Sequence, residues 1–321
     1  MKKRIAVISA LCALLALLFC PKDAVAGASN GLRLCANVIV PSLLPFFVIT
    51  SLLNDLGLAG FLGRRLEPLM SKLFGVSGCG ASAFILGVTG GYPLGASAVA
   101  DLRSKGAITR DEGENLLAFC NNSGPAFIVG AAGVGVFGSS AAGLLLFGAH
   151  VAAAVMTGVL LSKRAAVSPA GAGVFAGSIG LAEALPAAVK KSVMAVINIC
   201  GFVVTFSVLV GILDALGVFT AATGFLAARL HLELHFTRAF LTGLLELGSG
   251  IGAMEGMAAT PGNLALASFI LGWGGISVHF QTMSVLADTD LTGRRHILGR
   301  LCCAAISAVI SFLIGAMQII P

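Results

Sequence analysis

Two polar, helix-breaking clusters interrupt long apolar runs: Gly90-Gly91-Tyr92-Pro93 and Asn121-Asn122-Ser123-Gly124-Pro125. Glycine costs about 1 kcal/mol and proline about 3 kcal/mol against alanine in a helix interior. Unwound backbone at membrane depth survives only where protein or a water-filled cavity satisfies its polar groups. Discontinuous helices of this kind mark midplane binding sites in secondary transporters. Asn121, Asn122 and Ser123 supply amide and hydroxyl groups beside freed backbone N–H groups, a set that can hold a carboxylate where the helix dipole favours negative charge. Tyr92, the only tyrosine, can stack on an aromatic ring, while Gly90, Gly91 and Gly124 permit close backbone approach.

The second half carries a matching set. Glu246, with Ser249 nearby, is the lone carboxylate in Phe240–Met254. An ionisable group inside an apolar segment is a functional candidate by default, and Glu246 is expected to carry a coupling H⁺ or to bind Na⁺. Trp273-Gly274-Gly275 breaks a further apolar run, with His279 and Gln281 following as candidate ligand contacts. His150 stands alone and reads as structural. There is no P-loop, no nucleophile–base pair and no metal-ligand spacing, so neither an enzyme nor a metal or cofactor site is expected.

The elements that must position these residues are membrane helices. Hydrophobic residues make up 57% of the chain and charged residues 11%, with a mean hydropathy of +1.00. That composition belongs to an all-α polytopic membrane protein. The net charge of +6 needs no nucleic acid, because a cytoplasmic excess of Lys and Arg explains it. The eight cysteines form no CxxC and read as small buried hydrophobes. Expected partners are the lipid bilayer and a small-molecule cargo, with self-association left open.

In chain order, residues 1–30 read as an N-terminal signal anchor, uncleaved despite Ala24-Val25-Ala26, with the N-terminus cytoplasmic. Leu34–Asn54 is a second span kinked by Pro41 and Pro45. Phe61–Phe74 has the spacing of an amphipathic interfacial helix. Val76–Leu102 reads as a re-entrant hairpin. Thr109 with Glu112 forms a capping box that opens a helix broken at Asn121–Pro125. Ala141–Leu161 is a span, and 163–191 is a cytoplasmic connecting loop.

The order then repeats from 192 to 321. Ser192–Leu213 is a span, Gly217–Leu232 an amphipathic helix, 236–258 a second hairpin and Asn263–Thr282 a second broken helix, followed by a last span from His296. Phe240 aligns with Phe84, Gly243 with Gly87 and Phe269 with Phe119. Alternate crossings leave only Lys22, Arg33, Arg229 and Arg238 of the 20 Lys and Arg residues outside, which satisfies the positive-inside rule. The layout has seven crossings and two re-entrant hairpins, and sets residues 31–162 antiparallel to 192–321, as two inverted repeats.

The segments VPSLLPFF (Val40–Phe47), GGYPLGA (Gly90–Ala96), Gly106, Ile108-Thr109 and LLAFCNNSGPAFIVG (Leu116–Gly130) resemble the YlbJ-type sporulation integral membrane proteins, which carry a nucleoside-recognition or Gate domain. The likeness covers nearly the whole chain and is strongest in the first half. It implies a role in spore formation and the movement of dipicolinate, a small aromatic dicarboxylate, across the membrane enclosing the forespore. The expected activity is alternating-access transport of a small anionic or heteroaromatic solute. A nucleoside or nucleobase carrier, and a non-transporting subunit of a membrane complex, are the alternatives.

Overall fold

The computed structural model describes residues 2–162 and 180–317. Among these there is helix but no strand. Four helices are long and apolar enough to cross a bilayer: Ser140–Leu161, Leu181–Ala215, Pro261–Leu286 (bent at one break) and Arg294–Ala316. The chain is therefore a multi-pass membrane protein.

α1 (Lys2–Phe19) keeps apolar side chains such as Leu14, Leu18 and Phe19 exposed. At Cys20 the chain turns, so that Ala10–Phe19 and Pro21–Ile39 meet at 102°. Pro21 opens α2 (Pro21–Leu34), at a position where its missing N–H leaves no bond unmade. The helix then continues through a π-helical turn, Cys35–Ile39, into α3 (Val40–Asp55). The second span thus begins at Pro21 rather than at Leu34. The intervening residues are helical because they pack on another helix: a methyl on Gly27 or Gly31 would fall within 2.9 Å of backbone atoms at Ser207, Val208 or Val204. The π-helical turn leads directly into Pro41, which cannot donate an α-helical bond.

α4 (Leu58–Phe74) lies between two left-handed glycines, Gly57 and Gly75. Met70 and Phe74 are buried while Arg64, Arg65 and Lys72 are exposed, the expected amphipathic division. α5 (Gly80–Gly90) and α6 (Leu94–Ser104) form a hairpin around Gly91-Tyr92-Pro93, with a cis Tyr92–Pro93 bond. α7 (Arg110–Leu117) starts with the capping box of Thr109 and Glu112. Its path breaks at Asn121–Gly124 and resumes as a π-helix, Ala126–Val136, before α8 (Ser140–Leu161).

The second half follows the same order. α9 (Leu181–Ala215) has 35 residues, the summed length of the 14-, 5- and 16-residue segments from Pro21 to Asp55. Residues 181–191, read from the sequence as the end of a loop, are helical and include Lys190 and Lys191. The rest of that loop, with Lys163 and Arg164, lies outside the described residues. Gly217, left-handed like Gly57, precedes α10 (Val218–Leu230), which buries Phe219, Thr223 and Ala227 on one stripe. α11 (Leu234–Leu245) and α12 (Leu247–Gly252) form the second hairpin, turning at Glu246. α13 (Pro261–Trp273) and α14 (Gly275–Leu286) are the halves of the second broken helix, and α15 (Arg294–Ala316) is last.

Equivalent elements meet in equivalent ways. α8 packs on α15, and the long helix Pro21–Asp55 packs on α9. α6 contacts α14, while α12 contacts the π-helix Ala126–Val136. The rings of Phe84 and Phe119 lie 5.6 Å apart at 45°, and those of Phe240 and Phe269 lie 5.6 Å apart at 47°.

Candidate functional site

Each hairpin tip is seated on its neighbouring helix break. A methyl on Gly91 would sit 2.8 Å from the nitrogen of Gly124, and one on Gly275 would sit 3.1 Å from Cα of Glu246. Only glycine permits these approaches, and both Gly91 (φ 88°) and Gly275 (φ 78°) hold positive φ. Between the two tips lies a small, partly open cavity of about 60 Å³. Gly91, Tyr92, Ser123 and Gly124 from the first half line it, as do Glu246, Gly248, Val278 and Gln281 from the second. Apolar side chains of the two long helices, among them Ile39 and Ile199, complete the wall.

The polar groups around this cavity are arranged in two shells. On its wall, the Glu246 carboxylate caps α12, accepting from the backbone N–H of Gly248 (3.0 Å) and of Ser249 (2.5 Å). The Tyr92 hydroxyl donates to the carbonyls of Leu271 (3.1 Å) and Gly272 (3.3 Å), two carbonyls near the end of α13. The Ser123 N–H, freed by the break, donates to Nε2 of His150 at 3.1 Å. His150 is thus tied to the site that the sequence reading kept it apart from.

Behind the wall sit the remaining sequence-selected residues. Asn121 donates to the Thr282 hydroxyl (2.9 Å) and accepts from the Ala96 N–H (3.3 Å). Asn122 donates to the Phe119 carbonyl at 2.8 Å. Both asparagines are fully buried and do not line the cavity. Trp273 donates its indole N–H to the Leu244 carbonyl (3.1 Å), which fastens the second break to the second hairpin. Its ring lies 4.2 Å from that of His279, which in turn lies 5.1 Å from His296. Neither ring nitrogen of His279 has a hydrogen-bond partner. Gly90 is buried under the first tip, and Ser249 lines a different, open space.

Arg300 is the residue the sequence reading misplaced. The charge rule counted it with the cytoplasmic cations, but its side chain is fully buried. It lies six residues into α15, about 9 Å from the helix start at 1.5 Å per residue. Its Nη1 donates to Asn122 Oδ1 (2.9 Å) and to the Tyr92 hydroxyl (3.5 Å), and its Nη2 to the Ala118 carbonyl (3.2 Å). The available signal was its placement one turn after His296, as the last charged residue before a charge-free run to the end of the helix.

The two ends of the molecule differ. At one end an open vestibule of about 730 Å³ is lined by Asp23, Asn30, Asp214, Arg238 and Ser249, among others. Leu34 also lines it, and a methyl on Gly248, a cavity residue, would meet the Leu34 side chain at 2.5 Å. Leu34 is thus the partition between vestibule and cavity. At the other end polar contacts join the two halves. Arg103 binds Asp290 through two bonds of 2.9 Å. Glu114 accepts from the N–H (2.5 Å) and hydroxyl (2.8 Å) of Thr292. Arg295 donates to Asn115 and to the Leu161 carbonyl. The Arg103 guanidinium holds the Asp290 carboxyl below its ordinary range. Among the described residues no group of three or more His, Cys, Asp or Glu side chains converges on a metal position.

Residues 36–182 match the Gate family, described as nucleoside recognition. Over 325 aligned residues the chain is 32% identical to the sporulation integral membrane protein YlbJ of Bacillus subtilis (strain 168), with 92% of this chain and 78% of that protein covered. No solved structure matches.

Proposed function

The chain belongs to the YlbJ family of sporulation integral membrane proteins, and on that premise we propose that it is an alternating-access carrier for a small anionic solute, dipicolinate in sporulating cells. One observation carries the reading: two hairpin tips, the first helix break and the helix that follows the second break, from opposite halves of the chain, meet at one cavity. Tips and breaks expose backbone polar groups that a rigid helix would keep to itself. The equal ring pairs Phe84–Phe119 and Phe240–Phe269 and the reciprocal helix contacts support two related repeats. The charge distribution supports their inverted orientation, with the N-terminus cytoplasmic.

A cavity of about 60 Å³ holds about two waters at ~30 Å³ each. A ring bearing two carboxylates does not fit in that space. The tips must part from the breaks to admit cargo. Gly91, Tyr92, Ser123, Gly124 and Gln281 then face the solute, while Gly90, Asn121, Asn122, Trp273 and His279 reach it only in the open state. Glu246, with Ser249, carries the coupling H⁺ or Na⁺. The vestibule is the route on one side, and release of the Arg103–Asp290, Glu114–Thr292 and Arg295–Asn115 contacts opens the other. No chemical step is assigned to any residue.

The test is uptake by purified protein in liposomes, with dipicolinate and uridine compared under proton and sodium gradients. Dipicolinate uptake driven by one gradient is the expected result. The nucleoside-recognition match favours one second reading, a nucleoside carrier, and uridine uptake without dipicolinate uptake would establish it. Flux that appears only with a co-purifying partner would make the chain a subunit of a larger complex.

A further inference from the structure

We propose that Arg300 is the specificity-determining residue that makes the site select anions, a role that rests on the carrier reading above. A guanidinium is not deprotonated in proteins, so Arg300 brings a permanent positive charge into the interior of the helix bundle. Burying such a charge is costly unless an opposite charge or a full set of hydrogen bonds compensates it. Its hydrogen-bond partners are all neutral: the Asn122 amide oxygen, the Ala118 carbonyl and the Tyr92 hydroxyl. Its Nε has no partner. None of the ion pairs among the described residues includes it.

The groups that surround Arg300 supply no fixed negative charge. They are the thiols of Cys303 and Cys120, the phenol of Tyr92 and the imidazoles of His150, His279 and His296. Among the described residues the two other buried charged side chains are already engaged. Glu112 accepts from the N–H groups of Ser77 and Thr109 at the start of α7. Glu246 is held by the two N–H groups of α12 on the second-half wall of the cavity. Arg300 therefore lacks a counter-charge, and the cavity lies one residue away. Tyr92 lines that cavity and accepts from Arg300 while donating to α13. Cargo that enters between the tips meets a wall polarised by a cation, and an anion there supplies the charge that the protein lacks. The other two partners, Asn122 in the first helix break and Ala118 at the end of α7 just before it, let the same guanidinium also orient that break.

The experiment separates a charge role from a purely structural staple. Wild type, Arg300→Gln and Arg300→Lys are purified, and apparent affinities for dipicolinate and for its uncharged diamide are measured by ligand-induced thermal shift. Wild type should prefer the dicarboxylate by about tenfold or more, the scale of one charge acting through intervening groups at an effective dielectric near 20. Arg300→Lys should keep that preference, and Arg300→Gln should bind the two ligands within about twofold, by the same reasoning. An unchanged ratio in Arg300→Gln overturns the proposal. So does its loss in Arg300→Lys at the lowest pH the protein tolerates, where even an ammonium buried without a counter-charge is most fully protonated. If Arg300→Gln does not fold, the lysine variant decides alone. If wild type binds neither ligand and transports neither, the carrier reading itself has failed, and that outcome is distinct from a wild type that binds without charge preference.

Discussion

The hydroxyl of Tyr92, at the tip of the first hairpin, donates to the carbonyl of Leu271, 3.1 Å away in the last turn of α13. The two residues lie 179 positions apart, so a single side chain joins the halves of the molecule at the cavity. The last carbonyls of a helix have no partner within it, and the break at Gly274 creates such carbonyls in the protein interior. Tyr92→Phe keeps the ring and removes the donor. Thermal unfolding should report a loss of about 1–2 kcal/mol, the cost of leaving a buried acceptor unmet, and uptake should slow. Unchanged stability and uptake would show that the bond joins nothing of consequence.

Gly91 and Gly57 form a contrasting pair. Both have positive φ, 88° and 94°, but Gly57 is left-handed helical (ψ 18°), whereas Gly91, at ψ −176°, holds a conformation essentially closed to residues with a Cβ. A methyl on Gly91 meets the Gly124 nitrogen at 2.8 Å, while one on Gly57 meets nothing within 4 Å. Gly57→Ala should therefore cost about 1–2 kcal/mol in backbone strain alone and leave uptake intact. Gly91→Ala adds a steric clash at the site, so it should lower the unfolding temperature further and abolish uptake. Equal behaviour of the two variants would contradict the seating of the first tip on the first break.

Glu246→Gln retains a side-chain oxygen that can cap α12 but removes the titratable charge. Stability should stay within about 1 kcal/mol of wild type, since a cap is worth about that much. Uptake in liposomes should become insensitive to the gradient that drives the wild type. A variant that still responds to that gradient would move ion coupling to another residue.

The contact between Arg103 and Asp290 sets a pH window for the closed end. Arg103 lowers the Asp290 carboxyl below its ordinary value, so the folded state binds that proton less readily than the open or unfolded chain. The contribution to closure is then present above the ordinary carboxylate range and is lost as pH falls through the lowered value. Maleimide labelling of Ser97→Cys, half-buried in the first turn of the helix that carries Arg103, should accelerate on acidification and in Asp290→Asn at neutral pH. Labelling that is independent of both would leave the pair without a gating role.

Much of the frame was legible because membrane sequences write their breaks plainly. The first hairpin, the capping box at Thr109 and the interruption at Asn121–Pro125 follow from glycine, proline and a Thr-x-x-Glu spacing, all of which act locally. The match of Phe84 and Phe119 with Phe240 and Phe269 was also visible, and the ring pairs share one spacing. Helix ends were less so. Pro21–Asn30 reads as the tail of the N-terminal anchor and residues 181–191 as the end of a connector, because Gly, Ala and Lys weaken the apolar signal, yet packing of Gly27 and Gly31 against α9 makes the first of these the start of the next helix. Arg300 was out of reach for a different reason. The charge rule sorts cations by side and has no place for one that is buried against the carbonyl of Ala118 and the amide of Asn122. Which polar residues face the cavity was likewise a three-dimensional matter: Gln281 lines it, whereas Asn121 and Asn122, closer to the break in sequence, turn inward.

Trp273, the only tryptophan, reports directly on the central claim that both halves form one cargo site. It anchors the second break through Leu244, while Ser123 and Gly124 lie on the first. Titration of the purified protein with dipicolinate, followed by Trp273 fluorescence, should give a saturable change in wild type that disappears in Gly124→Val. A Trp273 signal that does not respond to dipicolinate while liposomes still take it up, or a response that survives Gly124→Val unchanged, would contradict the account.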